Sequence, residues 1–228
     1  MIPRIVYLVI FLSGFASLGY EICWIRKGVL LIGATPRALS IVVAVFFCGL
    51  AAGAYLSGLL SRRVGNPLLW YGILECVIGL MAAATPALFS SAGEVSAWAY
   101  QWAGTSQGLH LLVRSALVAA VILPACLMIG GTLPLLCQFS INIRQADNRV
   151  AAGILYTVNT FGAFLGCMLC GIWFIPLPGI DAAILLNASI SFAVGTGVIL
   201  ASRAIAVPPL PVTALPLRPP GTNQRLSC

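Results

Sequence analysis

FFCGLAAGAYLSG at residues 46–58 and NTFGAFLGCMLCG at residues 159–171 carry glycines at identical spacing, Gly49, Gly53 and Gly58 in the first and Gly162, Gly166 and Gly171 in the second. The offset between the two is 113 residues. Both stretches are long and apolar, with small residues on the glycine-bearing face. Such a face lets helix backbones approach closely in a bilayer, and its recurrence at a fixed offset points to a chain of two matching halves. These six glycines are therefore expected to mark where spans 2 and 5 pack.

Composition supports that setting. Hydrophobic residues make up 61% of the 228-residue chain and charged residues 7%, and the mean hydropathy is +1.05, far from a soluble domain. Runs of about 20 apolar residues, the length a helix needs to cross roughly 30 Å of hydrocarbon, occur at Ile5–Trp24, Ala38–Leu60, Leu68–Phe89, Leu109–Phe139, Ala151–Phe174 and Ile180–Ala201. None alternates in polarity as barrel strands do. The fold expected is an all-α integral membrane protein with six transmembrane helices in residues 1–203, partnered by the lipid bilayer. Pro124, Gly130-Gly131 and Pro134 predict a kink or a broken end in the fourth run.

Arginine placement gives the orientation. A cytoplasmic N-terminus puts Arg4, Arg62, Arg63, Arg144, Arg149, Arg203, Arg218 and Arg225 inside and only Arg26, Lys27 and Arg37 outside, which favours N-in, C-in. The tryptophans lie at or beside span ends, as amphipathic rings prefer. The charge of +7 is thus mostly a topology signal. It is scattered through short loops, and nucleic acid is not an expected partner. The first run follows Arg4 like a secretory signal, but its charged end at Glu21–Arg26 fits an anchored helix better. Residues 90–108, with Trp98 and Trp102 one turn apart, read as a short surface helix. Residues 204–228, AIAVPPLPVTALPLRPPGTNQRLSC, read as a Pro-rich cytoplasmic tail without a core of its own.

With three spans per half, the second half must sit upside down relative to the first. That arrangement is a 3+3 inverted repeat, from which many transporter folds are assembled.

Several stretches carry a family resemblance: SGFASLGYEICWIRKGVLLIGAT at Ser13–Thr35, FFCGLAAGAYLSG at Phe46–Gly58, NPLLWYGILECVIGL at Asn66–Leu80, LPACLMIGGTLPLL at Leu123–Leu136 and GILYTVNTFGAFLGCMLCGIWFIPLPGI at Gly153–Ile180. Their order and spacing resemble the membrane half of the fused spermidine-synthase-like proteins, where a transporter-like domain precedes an aminopropyltransferase domain. That half in turn is similar to one six-helix half of a major facilitator transporter. The loop GLLSRRVGNP at Gly58–Pro67 keeps Gly58, Arg63 and Gly65 of that superfamily's cytoplasmic loop but has Arg62 where an aspartate is usual. The resemblance implies a bacterial inner (cytoplasmic) membrane location. An aminopropyltransferase needs a Rossmann-like sheet and acidic residues for the polyamine, and nothing after residue 201 reads as one. These 228 residues are expected not to be an enzyme.

Ionisable groups inside spans cost about 2.5–3.5 kcal/mol at a helix centre, so each asks for a partner. Glu21, near the outer end of span 1, and Arg114, at similar depth on span 4, are candidates for an intramembrane ion pair. The alternative is that Glu21 pairs locally with Arg26 or Lys27 while Arg114 snorkels. Glu75 lies about two turns into span 3. Tyr156, Thr157, Asn159 and Thr160 lie at comparable depth on span 5 and make Glu75, Tyr156, Asn159 and Thr160 a candidate cavity for a cationic or amine-bearing ligand. The alternative is interhelical hydrogen bonding. Cys167 and Cys170 form a C-x-x-C without a second pair, and His110 has no ligand-spaced neighbour, so no metal or cofactor is expected; no catalytic motif is present. Three functions remain open. One is a non-catalytic membrane subunit or scaffold docking other membrane subunits or a synthase. Another is a homodimeric half-transporter for a small amine or metabolite. The last is a truncated synthase with no activity of its own.

Overall fold

Local capping chemistry sets the helix boundaries. The computed structural model of the protein describes residues 4–61, 64–103, 106–144 and 148–204. Its helices are α1 (Arg4–Ile32), α2 (Pro36–Leu60), α3 (Pro67–Ala103), α4 (Gln107–Arg144), α5 (Asn148–Leu169), continued by a π turn (Cys170–Phe174), and α6 (Ile180–Ala204). Gly33, at φ +120°, turns the chain out of α1 while its N–H still reaches Val29 O at 2.9 Å, a glycine stop. Thr35 then caps α2 by accepting from Ala38 N at 3.3 Å, and Pro36 fills the first turn, where no N–H is needed. Asn66 does the same for α3, accepting from Leu69 N at 3.2 Å just before Pro67.

Each of the six helices holds a stretch long and apolar enough to cross a membrane. Several outrun their apolar cores. α1 continues through Arg26 and Lys27 to Ile32, and α3 extends through residues 90–103, so the expected separate surface helix is the far part of α3. α4 runs unbroken through Pro124 and Pro134. Gly130 and Gly131 do not interrupt it because both are packing positions: a Cβ on Gly130 would strike the backbone of Leu50, and one on Gly131 the side chain of Ser57. The Pro-rich tail at 205–228, Arg62, Arg63 and the side chains of Arg4, Trp102, Arg144, Arg149 and Arg203 lie outside the described residues.

α2 lies along α4, α1 along α5, and α3 between α4 and α6, with α1 also against α6. The buried side chains form one cluster around Trp24, Phe46, Ile122, Cys126 and Ile184 and a second around Tyr71, Leu136, Phe139 and Leu155.

The glycines divide by what they meet. Gly49 and Gly53 face Cys126 and the Leu127 carbonyl on α4, while Gly162 and Gly166 face the Phe11 and Phe15 carbonyls on α1. A Cβ at any of the four would overlap its neighbour. Gly58 and Gly171 have open space there, which corrects their reading as packing residues; Gly58 lies one turn from the end of α2 and Gly171 within the π turn, beyond the helix crossings. α2 and α5 use their glycines on different partners, α4 and α1. The sequence did not single out Gly72 and Gly195, whose Cβ atoms would come within 2.9 and 2.7 Å of each other's carbonyl oxygens where α3 crosses α6.

Candidate functional site

Buried polar groups gather along the seam of α1, α3 and α6. Tyr71 and Glu75 stand one turn apart on α3, and Asn187 and Ser191 one turn apart on α6, so each pair shares a helix face. Ser13, Tyr20 and Trp24 come from α1. All seven are buried, Glu75 to 1% exposure and Tyr71 to 0%. The Ser13 hydroxyl donates to Glu75 Oε1, and Tyr71 and Ser191 flank the same carboxyl. Tyr20 donates to Ser191 Oγ at 3.2 Å. Toward the far end of α1, Asn187 Nδ2 donates to Ala183 O at 2.9 Å and to Cys170 Sγ at 3.1 Å. Gly19 makes room for that amide, since a Cβ there would lie 2.5 Å from Asn187 Oδ1.

Thr85 closes the column. Pro86 has no N–H, which leaves the Ala82 carbonyl, four residues back, without its helical donor. The Thr85 hydroxyl supplies the bond at 2.7 Å and also accepts from Trp24 Nε1 at 3.1 Å. A proline defect in α3 is thereby converted into a cross-link to α1. Among the described residues, the buried Asn187 Oδ1 has no hydrogen-bond partner.

The sequence-derived cavity is not formed by the residues assigned to it. Glu75 faces α1 and α6, whereas Tyr156 is 60% exposed and Thr160 also lies outside. Thr157 and Thr160 bond back to the Gly153 and Tyr156 carbonyls at 2.9 Å. The reason is angular. Gly162 and Gly166 turn one face of α5 onto α1, which points residues 156, 157 and 160 away. Asn159, on the inner side, is half-buried against Gly14. With Ser17, Leu50, Thr132 and Cys137 it lines a separate cavity of about 340 Å³ between α1, α2, α4 and α5.

The ion pair is also corrected. Arg114 Nε donates to Ser96 Oγ at 3.1 Å and Nη1 to Ile32 O at 3.5 Å, and Arg114 makes no ion pair with Glu21. Because α3 runs on past its apolar core, it brings Ser96 within reach, and the last carbonyls of α1 attract a cation. Glu21, 7% exposed, lies in electrostatic range of Cys126 and Cys167. Of the local partners, Lys27 pairs instead with Asp181 in the first turn of α6, Nζ to Oδ1 at 2.5 Å, and among the described residues Glu21 makes no ion pair with Arg26. A double-mutant cycle on Glu21 and Arg114 should return a coupling near zero, while the Arg114–Ser96 cycle should return about 1 kcal/mol. Thermal unfolding of the four variants in each cycle measures both.

No group of three or more His, Cys, Asp or Glu side chains suited to a metal occurs among the described residues.

The chain is 24% identical over 192 residues to polyamine aminopropyltransferase 2 of Streptomyces coelicolor, a match covering 84% of this chain and 33% of that protein. The chain thus spans about a third of the length of this relative. No family model matches the chain, and no solved structure matches it. The similar region takes in most of the six-helix bundle. The sequence signals that could have found the polar seam are the i, i+4 pairs Tyr71/Glu75 and Asn187/Ser191 in otherwise apolar helices; Ser13 and Tyr20 carry no such signal.

Proposed function

We propose that this chain is an integral membrane domain that docks an aminopropyltransferase-type catalytic partner at a bacterial inner membrane, with both termini cytoplasmic. The observation that carries the reading is the similarity to a polyamine aminopropyltransferase along the helical bundle itself. The geometry of Glu75 supports a scaffold over an open amine site. Its carboxyl is enclosed by hydroxyls from three helices, and such interhelical hydrogen bonds hold membrane helices in register. Cross-linking in native membranes, followed by purification through a tag on this chain, tests the reading. Recovery of a protein with aminopropyltransferase activity in fixed proportion to this chain is the expected result. A homodimer without that activity overturns it.

That homodimer is the second reading, a twelve-helix carrier built on 3+3 inverted halves. It is favoured by the reciprocal pairing of α2 on α4 and α1 on α5, which exchanging the two halves would preserve. α2 and α5 also leave Phe47, Leu56, Phe161 and Phe164 exposed. Saturable uptake of a labelled polyamine by proteoliposomes containing only this chain would establish it.

A further inference from the structure

We infer that Cys23, Cys167 and Cys170 form a thiol–disulfide exchange site for an anionic low-molecular-weight disulfide, with Cys167 as the entry sulfur and Cys23 with Cys170 as the buried pair that becomes oxidised. Cys23 comes from α1, Cys167 from α5 and Cys170 from the π turn that continues it. The Cys23 and Cys170 thiols are hydrogen-bonded to each other across that helix contact, and both residues are fully buried. Cys167 stands three residues before Cys170, on the same helix face and within electrostatic range of it. The π turn begins at Cys170, and such turns are frequent at functional sites.

Two further observations separate this cluster from cysteines that only pack. A groove of about 770 Å³ reaches from Thr35, in the α1–α2 connection, to the half-buried Cys167 and is bordered by Arg26. A partly exposed cysteine beside a cationic side chain is the setting in which a thiol reacts, and the guanidinium draws in a carboxylate-bearing disulfide. On the buried side, Asn187 Nδ2 donates to Cys170 Sγ at 3.1 Å, which fixes the position of that sulfur. Exchange proceeds by thiolate attack on a disulfide sulfur. Cys167 Sγ bonds one sulfur of the small disulfide, and the other leaves as a thiol with the Cys167 proton. Cys170 Sγ then attacks Cys167 Sγ and expels the second small thiol, which takes the Cys170 proton. Cys23 Sγ attacks Cys170 Sγ last, and Cys167 leaves with the Cys23 proton. Two electrons and two protons thus pass from Cys23 and Cys170 to the small disulfide, which ends as two thiols. None of these steps depends on a partner protein.

The test uses the purified full chain in mild detergent, incubated with oxidised glutathione at constant pH, quenched with a thiol-blocking reagent and mapped by peptide mass spectrometry. A bridge between Cys23 and Cys170 is expected, reversed by excess dithiothreitol. Cys167→Ser, at a half-buried position, should fold and slow formation of that bridge by at least about tenfold, because the buried sulfurs lose their access. Arg26→Gln should slow it by about threefold with oxidised glutathione, the size of one exposed charge contact, and leave the rate with uncharged hydroxyethyl disulfide unchanged. Cys23 and Cys170 recovered reduced while Cys167 carries glutathione overturns the proposal, as does a bridge that forms in Cys167→Ser at the wild-type rate. An unchanged rate of Arg26→Gln with oxidised glutathione overturns the anionic co-reactant. If Cys167→Ser does not fold, the wild-type time course decides: the mixed disulfide at Cys167 rises and falls before the bridge accumulates, and a bridge without that lag overturns the entry role of Cys167.

Discussion

Gly166→Leu and Gly53→Leu are each expected to prevent the bundle from assembling, while Gly58→Ala leaves it intact. A Cβ at Gly166 would overlap the Phe15 carbonyl on α1, and one at Gly53 the Leu127 carbonyl on α4. In both places the obstacle is backbone, which cannot rotate aside as a side chain can. Overpacking ordinarily costs about 1–3 kcal/mol; here even alanine should reach the upper end of that range, and leucine requires the helix pair to separate. The two pairs concerned, α1 with α5 and α2 with α4, are among the most extensive in the fold. Gly58 has open space where its Cβ would stand, so alanine should be neutral or stabilise by up to about 1 kcal/mol through helix propensity. Thermal unfolding and gel filtration in mild detergent measure all three. Equal damage from Gly58→Ala and Gly53→Ala would show that glycine spacing, and not contact, governs the packing.

Trp24→Ala should be the most damaging truncation in the core. The indole is fully buried, stacks on Tyr20 with ring centroids 5.4 Å apart, lies 6.5 Å from Phe46 and bonds Thr85 through Nε1. Removing an aromatic side chain from a packed core costs about 3–5 kcal/mol, because neighbours only partly refill the space. Trp24→Phe separates the contributions. It keeps most of the ring contact but loses the bond to Thr85, for a cost of about 1 kcal/mol from the hydrogen bond plus a smaller volume term. The order expected for Tm is wild type, then Trp24→Phe, then Trp24→Ala by a much wider gap. Near-identical melting of Trp24→Ala and wild type would remove Trp24 as the link between α1 and α3.

The helices were legible because their causes are local. Thr35 with Pro36, Asn66 with Pro67, and Gly33 are start and stop signals within a few residues of the boundaries they set, and apolar runs of about 20 residues read directly as spans. The ends read less well. α1 and α3 continue past their apolar cores because helical hydrogen bonding does not stop where hydropathy falls. The site was partly legible. Glu75 stands out as an acid in an apolar run, yet only depth points to span 5 for its partners, and depth says nothing about which helix face is turned inward.

From the sequence alone came six apolar helices, their order, the glycine repeat and the buried acid, since composition and capping act along the chain. Only the tertiary structure decided that Gly49 and Gly53 rest on α4 while Gly162 and Gly166 rest on α1. It also decided that Arg114 binds Ser96 and the end of α1, and that Ser13, Tyr71 and Ser191 close around Glu75. Those outcomes depend on the rotation of each helix about its axis. That rotation is fixed by which small residues let two backbones touch, a property of pairs of helices that no single stretch of sequence contains.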